Sequence, residues 1–215
     1  MEEQQNNPMP RIGDMAPDFT ADTTYGPLKF SEYNKGSWVI LFSHPADFTP
    51  VCTTEMSGFA LQSDEFKSLN TKLIGLSIDS IHAHVAWVNN VKKNSGVLFN
   101  FPIIADIDMK VSKLYGMLQP NESETAAVRA VFIIDPTGKV RLMMYYPLNV
   151  GRNMNEILRV LKALQTADKH GVALPLNWVP GEKVIVPPPK TVPAMEEREK
   201  SNYEMVDFYL AKKDL

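Results

Sequence analysis

The feature that most constrains this chain is the run Trp38-Val39-Ile40-Leu41-Phe42, five apolar residues without polar alternation, cut off by Ser43-His44-Pro45. A strand with one wet face alternates apolar and polar side chains. An unbroken run of β-branched, aromatic and aliphatic residues suits a strand buried on both faces, the usual setting of a parallel central strand covered by helices. Pro45 lacks an N–H and biases His44 away from the helical region, so a loop must begin there. An α/β fold is the expectation.

The loop closes on a helix start. Thr49 is an N-cap type, Pro50 suits the first helical position, and Met56, Phe59, Ala60 and Phe66 give the following run an apolar side. A helix from about 50 to 68 is predicted, with Cys52, the only cysteine, at its third position. In a capping box a Ser or Thr N-cap is followed three residues later by Glu or Gln. Here Thr49-x-x-Cys52 puts sulfur in the anion's place. First-turn N–H groups and the positive end of the helix macrodipole favour a thiolate, the nucleophilic form, over a thiol. Phe48 and Val51 are apolar neighbours that would limit water. A lone cysteine is ordinarily an inert, buried small hydrophobe; the Thr-Pro-x-Cys helix start turns the reading toward a nucleophile.

The spacing Pro45-x-x-x-Thr49-x-x-Cys52 resembles the active-site motif of peroxiredoxins, and the longer string from His44 to Glu55 is similar to the sixth, one-cysteine subfamily. The resemblance runs from about Ile12 to about Pro189 and takes in Thr125–Phe132 and Gly151-Arg152-Asn153. It implies a thioredoxin-like fold, a mixed central sheet flanked by helices, with a C-terminal extension. It also implies a thiol-dependent peroxidase that reduces hydrogen peroxide and organic hydroperoxides. In that reading the Cys52 thiolate attacks, Thr49 orients the peroxide, Pro45 shields the sulfur, and Arg129 supplies a permanently charged guanidinium for the developing negative charge. Arg152 would support the pocket. Glu55 would pair with either arginine, or serve as a first-turn acid favoured by the macrodipole. His44 would hydrogen-bond near the pocket or assist the sulfenic acid, or be a loop histidine without a catalytic role.

With one cysteine, neither an internal disulfide nor resolution by a second cysteine of the same chain is available. An external thiol, glutathione or a thioredoxin-type protein, is therefore the expected reductant, with overoxidation to sulfinic acid as the failure mode. A reducing compartment, most simply the cytoplasm, fits. The formal charge of −3 and the lack of a long basic run disfavour nucleic acid and anionic membrane as partners. The polar, acidic start Met1–Asn7 does not read as a signal peptide, and no apolar stretch is long enough to span a bilayer. No cofactor is expected. His82 and His84 stand two apart and form no standard metal spacing with Cys52, so no metal is expected either.

Along the chain, Tyr25-Gly26-Pro27 predicts an N-terminal hairpin turn, and residues 72–78 a second buried strand that completes a right-handed βαβ unit. Ser80 caps a helix ending near Gly96, residues 101–105 form a short strand, and Asp106 to Gly116 a short helix. Asp135-Pro136-Thr137-Gly138 joins an antiparallel pair, and Asn153 to about Lys169 forms an amphipathic helix closed by Gly171. A peroxidase domain over 8–173 and a C-terminal arm over 174–215 are the expected domains, the arm serving a homodimer by resemblance. The alternative for the arm is a partly disordered tail.

Two other classes compete. A redox sensor or chaperone-like protein would use the same reactive thiol without rapid turnover. A serine hydrolase, assigned to some one-cysteine relatives, needs a Gly-x-Ser-x-Gly elbow; here Gly36-Ser37-Trp38-Val39 lacks that glycine spacing and Ser31 stands where the histidine would align. A Cys-His protease is weaker still, because no separate histidine motif accompanies the thiol.

Overall fold

The computed structural model describes residues 9–215. The chain divides into two compact units, Met1–Arg152 and Asn153–Leu215. The first contains, in order, β1 (Thr20–Thr23), β2 (Gly26–Lys29), α1 (Phe30–Asn34), β3 (Trp38–Ser43), α2 (Pro50–Leu61), α3 (Ser63–Ser68), β4 (Thr71–Ser77), α4 (Ile81–Ser95), β5 (Ile103–Ala105), α5 (Lys110–Leu114), β6 (Arg129–Ile134) and β7 (Val140–Tyr146).

These strands form one seven-stranded sheet in the order β2-β1-β5-β4-β3-β6-β7. β3, β4 and β5 are parallel, β6 runs antiparallel to β3, and β7 and the β1–β2 hairpin extend the two sides in antiparallel fashion. The sheet is therefore mixed. The predicted apolar run is the whole of β3 bar its last residue, and all six of its residues are buried. Val39 and Leu41 face a cluster with Ile74, Leu76, Ile104, Tyr115 and Phe132. Phe42 stacks on Phe59 of α2 at 3.8 Å between ring centres and meets Phe101 edge-on. Each such side chain, fully buried, contributes roughly 1.5–3 kcal/mol.

Two expectations are adjusted. The helix predicted over 50–68 is broken at Gln62 (φ −95°, ψ 7°), which ends α2 and starts α3. The helix predicted over 106–116 forms only at Lys110–Leu114, because Asp106 and the left-handed Met109 (φ 59°) occupy the turn before it. There the Asp106 carboxylate accepts from the N–H groups of Val111 and Ser112, a cap built from outside the helix. α1, four residues before β3, had no clear signal.

The second unit begins with α6 (Met154–His170), capped by the Asn153 side chain, which accepts from the Glu156 N–H, and closed by left-handed Gly171 at φ 60°. β8 (Val184–Val186), α7 (Val192–Glu199), β9 (Glu204–Asp207) and β10 (Leu210–Lys213) follow, the strands forming a sheet in the order β8-β10-β9. Val172, Trp178 and Val184 make its small core. Arg198 is buried, and its guanidinium donates to the carbonyls of Val186, Phe208 and Pro187. The segment 194–215 is thus a helix and a hairpin, with Val206, Phe208 and Tyr209 exposed.

Candidate functional site

β3 ends where its sheet partners deliver their own ends. Ser43 Oγ donates to the Val128 carbonyl and accepts from the Ala130 N–H at 3.1 Å, tying the end of β3 to the start of β6. The chain then turns through Asp47 and Phe48, the latter at φ 56°, a left-handed conformation strained for a bulky residue. Thr49 takes the extended N-cap conformation (φ −106°, ψ 150°), Pro50 opens α2, and Cys52 lies in the first turn with no exposed surface. The helix start is as read, but the capping-box analogy is not made by the side chain. Thr49 Oγ1 donates to the Ala46 carbonyl at 2.9 Å, which the turn has brought within reach, and makes no cap bond to the helix. Pro45 is half-buried in the same loop.

A buried charge cluster meets the sulfur. Arg129, the first residue of β6, points Nη1 at Cys52 Sγ (3.3 Å) and at Glu55 Oε2 (2.7 Å). Its Nε and Nη2 donate to the Leu148 carbonyl at 2.9 and 2.6 Å, which fixes the fork. Arg152 grips the same carboxylate from the other side, with Nε and its backbone N–H on Oε1 (2.9 and 2.7 Å) and Nη2 on Oε2 (2.8 Å). Its Nη1 donates to the carbonyls of Ser43 and Ala130 at 2.8 and 2.9 Å, and its plane lies over the Phe42 and Phe59 rings. Burial opposes ionisation of Glu55, but the charge and hydrogen bonds of Arg152, with Arg129, outweigh it and hold the carboxyl below its ordinary value. Burial likewise draws the Arg152 pKa down, and Glu55 opposes that. One carboxylate between two guanidiniums leaves one positive charge uncompensated, and the nearest group able to balance it is the sulfur.

A second buried group ties the loop between β3 and α2 to α4. His44 Nε2 is 2.8 Å from Asp47 Oδ1, and His84 Nδ1, from α4, is 2.7 Å from Asp47 Oδ2. All three side chains are essentially without exposure. These separations are those of hydrogen bonds; tetrahedral ligands on a zinc ion would stand about 3.3 Å apart. The sequence reading named His44 but missed Asp47 and His84. His84 was weighed only against Cys52 as a metal partner, and nothing local links it to a residue 37 positions earlier. The serines of the hydrolase reading are engaged elsewhere: Ser31 Oγ donates to Asp18 at 2.8 Å and Ser37 Oγ to Asn70 at 3.2 Å.

The thioredoxin-like sheet and this site have many relatives. Residues 12–143 match the AhpC/TSA family, and residues 163–202 match the C-terminal domain of 1-Cys peroxiredoxin. Peroxiredoxin 2 of Caldanaerobacter subterraneus is 55% identical over 207 residues, covering 95% of this chain and 93% of its own. The peroxiredoxin of Aquifex aeolicus is 53% identical over 215 residues, covering 95% and 97%. Among solved structures, a yeast mitochondrial 1-Cys peroxiredoxin, studied for thiol resolution via glutathione/thioredoxin systems, superposes with a TM-score of 0.87 at 43% identity, covering 96% of this chain and all (100%) of its own. A mutant of the Peroxiredoxin 6 of Arenicola marina gives 0.86 at 39% identity, covering 95% and 97%. By sequence, by fold and by its lone cysteine, the chain belongs to the AhpC/TSA family as a one-cysteine peroxiredoxin, a thiol peroxidase.

Proposed function

We propose that the protein reduces hydrogen peroxide and organic hydroperoxides at Cys52 and is returned to the thiol by an external reductant of the glutathione or thioredoxin type. The Cys52 thiolate attacks the terminal peroxide oxygen, the O–O bond breaks, and the alkoxide or hydroxide leaves and takes up a proton, so that sulfur is oxidised to a sulfenic acid. A reductant thiol then attacks that sulfur and releases water, and a second thiol splits the mixed disulfide. Arg129 stabilises the thiolate and the charge moving to the leaving oxygen. Thr49 orients the peroxide, Pro45 narrows the approach, Glu55 and Arg152 hold Arg129 in place, and His44 supports the loop.

The observation that carries this reading is the Arg129 guanidinium 3.3 Å from the sulfur inside a cluster with one uncompensated positive charge. The external reductant follows from the single cysteine. We further assign residues 174–215 to a homodimer-forming arm and the protein to a reducing compartment such as the cytoplasm. No helix is long and apolar enough to cross a membrane among the described residues.

The deciding experiment is stopped-flow mixing of reduced protein with hydrogen peroxide, with mass spectrometry of Cys52. Rapid gain of one oxygen at Cys52, and no peroxide consumption by Cys52→Ser, is the expected result. Slow, stoichiometric oxidation with reductant in excess would overturn turnover in favour of sensing.

A further inference from the structure

We propose that His84 and Asp47 are positioning residues for the peroxidatic loop: they hold His44 as the tautomer protonated at Nε2, leaving its Nδ1 a bare acceptor in the buried site. The functional half of this rests on the peroxidase reading above; the protonation pattern stands on its own geometry.

The pattern follows from what each neighbour is able to do. His84 Nε2 lies 3.0 Å from the carbonyl oxygen of Ile104 on β5, which only accepts, so Nε2 carries a hydrogen. His84 Nδ1 and His44 Nε2 both face oxygens of Asp47. One hydrogen lies between Asp47 Oδ2 and His84 Nδ1 and makes that pair neutral as a whole, which leaves Asp47 Oδ1 to accept from His44 Nε2. A cation at His44 would leave the trio with unbalanced charge in a fully buried place, so His44 carries one hydrogen, on the nitrogen that faces Asp47. Its other nitrogen, Nδ1, is buried and has no hydrogen-bond partner among the described residues, as expected for a lone pair held in reserve.

Two further directions agree. Burial opposes ionisation of Asp47, yet the hydrogen bonds from His44 and His84 outweigh it and hold the carboxyl below its ordinary value. Burial draws the His44 pKa down against the pull of Asp47. The surroundings add one more ionisable group, Asp79, whose Oδ2 accepts from the Asp47 N–H at 3.0 Å and from Ser77 Oγ at 2.6 Å. The ring of Trp87, 5.2 Å from that of His44, supplies an apolar wall. α4 thereby reaches the loop carboxylate through His84, β5 braces His84, and Ser77 at the end of β4 braces Asp79. In a reaction that begins with a thiol losing its proton and ends with an alkoxide gaining one, the state of the loop histidine is set before substrate arrives.

The test uses the full-length reduced protein labelled with 15N-histidine, with long-range 1H–15N spectra at neutral pH. The four rings, His44, His82, His84 and His170, are assigned by His44→Gln and His84→Phe. His44 protonated on Nε2 alone is the expected pattern; any other pattern for that ring overturns the proposal. Asp47→Asn offers one donor and one acceptor, so it is unable to accept from both rings. It should switch one of them in the spectra, slow Cys52 oxidation by hydrogen peroxide about 10-fold or more, and alter the pH profile of that rate. An unchanged rate and profile would refute the positioning role. Wild-type protein with the expected ring pattern but an unreactive Cys52 would overturn the peroxidase reading while the ring assignment stood.

Discussion

The two units each bury an arginine, and they use it in opposite ways. Arg129 shares a carboxylate with Arg152 and keeps a donor for the sulfur of Cys52, whereas among the described residues the partners of Arg198 in the second unit are carbonyl oxygens. The guanidinium held by carbonyls joins strands and a helix, and no nucleophile stands among its partners. One held by a carboxylate and a single carbonyl, with an N–H aimed at a nucleophile, is pre-organised for charge that appears during a reaction. Burial of arginine is common to both; a donor aimed at a nucleophile separates the two.

The comparison is broken most severely at Glu55. Glu55→Gln leaves two buried guanidiniums without their shared counter-charge, and a loss of about 3–5 kcal/mol in urea denaturation is expected. Arg129→Met is the next largest effect: Cys52 oxidation by peroxide should slow about 10²–10³-fold in stopped flow, with Glu55 still paired by Arg152. Arg198→Met sharpens the contrast from the other side. It should destabilise the protein by about 1–3 kcal/mol, since carbonyls lose their donor, yet leave the rate of Cys52 oxidation as in wild type. A slowed reaction would show that the second unit's arginine serves more than packing.

The smallest effect is the acid limb of stability. The folded Glu55 pKa lies below the ordinary value of 4.5, so its contribution is complete above about pH 4.5 and is lost as pH falls through the folded value. Glu55→Gln has no carboxyl to protonate and should show a shallower decline below pH 4.5. Arg198→Met, whose cage holds no titrating group, should keep the wild-type slope. His44 adds a trend of the same sign: its folded pKa is depressed below 6.5, so the unfolded chain takes up a proton first and stability falls as pH drops below about 6.5.

What the sequence made legible was what is encoded locally. The β3 run, the Thr-Pro-x-Cys helix start, the Asp135–Gly138 turn and the Asn153 to Gly171 helix each carry their signal within a few residues, and each stands where expected. Arg129 and Arg152 came through family resemblance, since nothing near them in the chain announces a sulfur 77 residues away. The break at Gln62 was hidden because the apolar spacing of Phe59 and Phe66 continues across it. Asp47 read as an ordinary loop acid and His84 as one residue of a helix; only the folding of α4 against the loop joins them. The direction of the Thr49 hydroxyl was set by the Phe48 turn, a backbone conformation that propensity disfavours for phenylalanine.

The complete enclosure of Cys52 has one more consequence. A sulfur with no open face acts as a sieve on its two visitors. An oxidant the size of two oxygen atoms needs only a small parting of side chains, but a reductant thiol carried on a peptide or a protein needs the first turn of α2 or the loop before it to swing aside. The oxidising and reducing halves of the cycle are thus governed by different degrees of opening, so stiffening that loop should slow regeneration far more than the attack on peroxide.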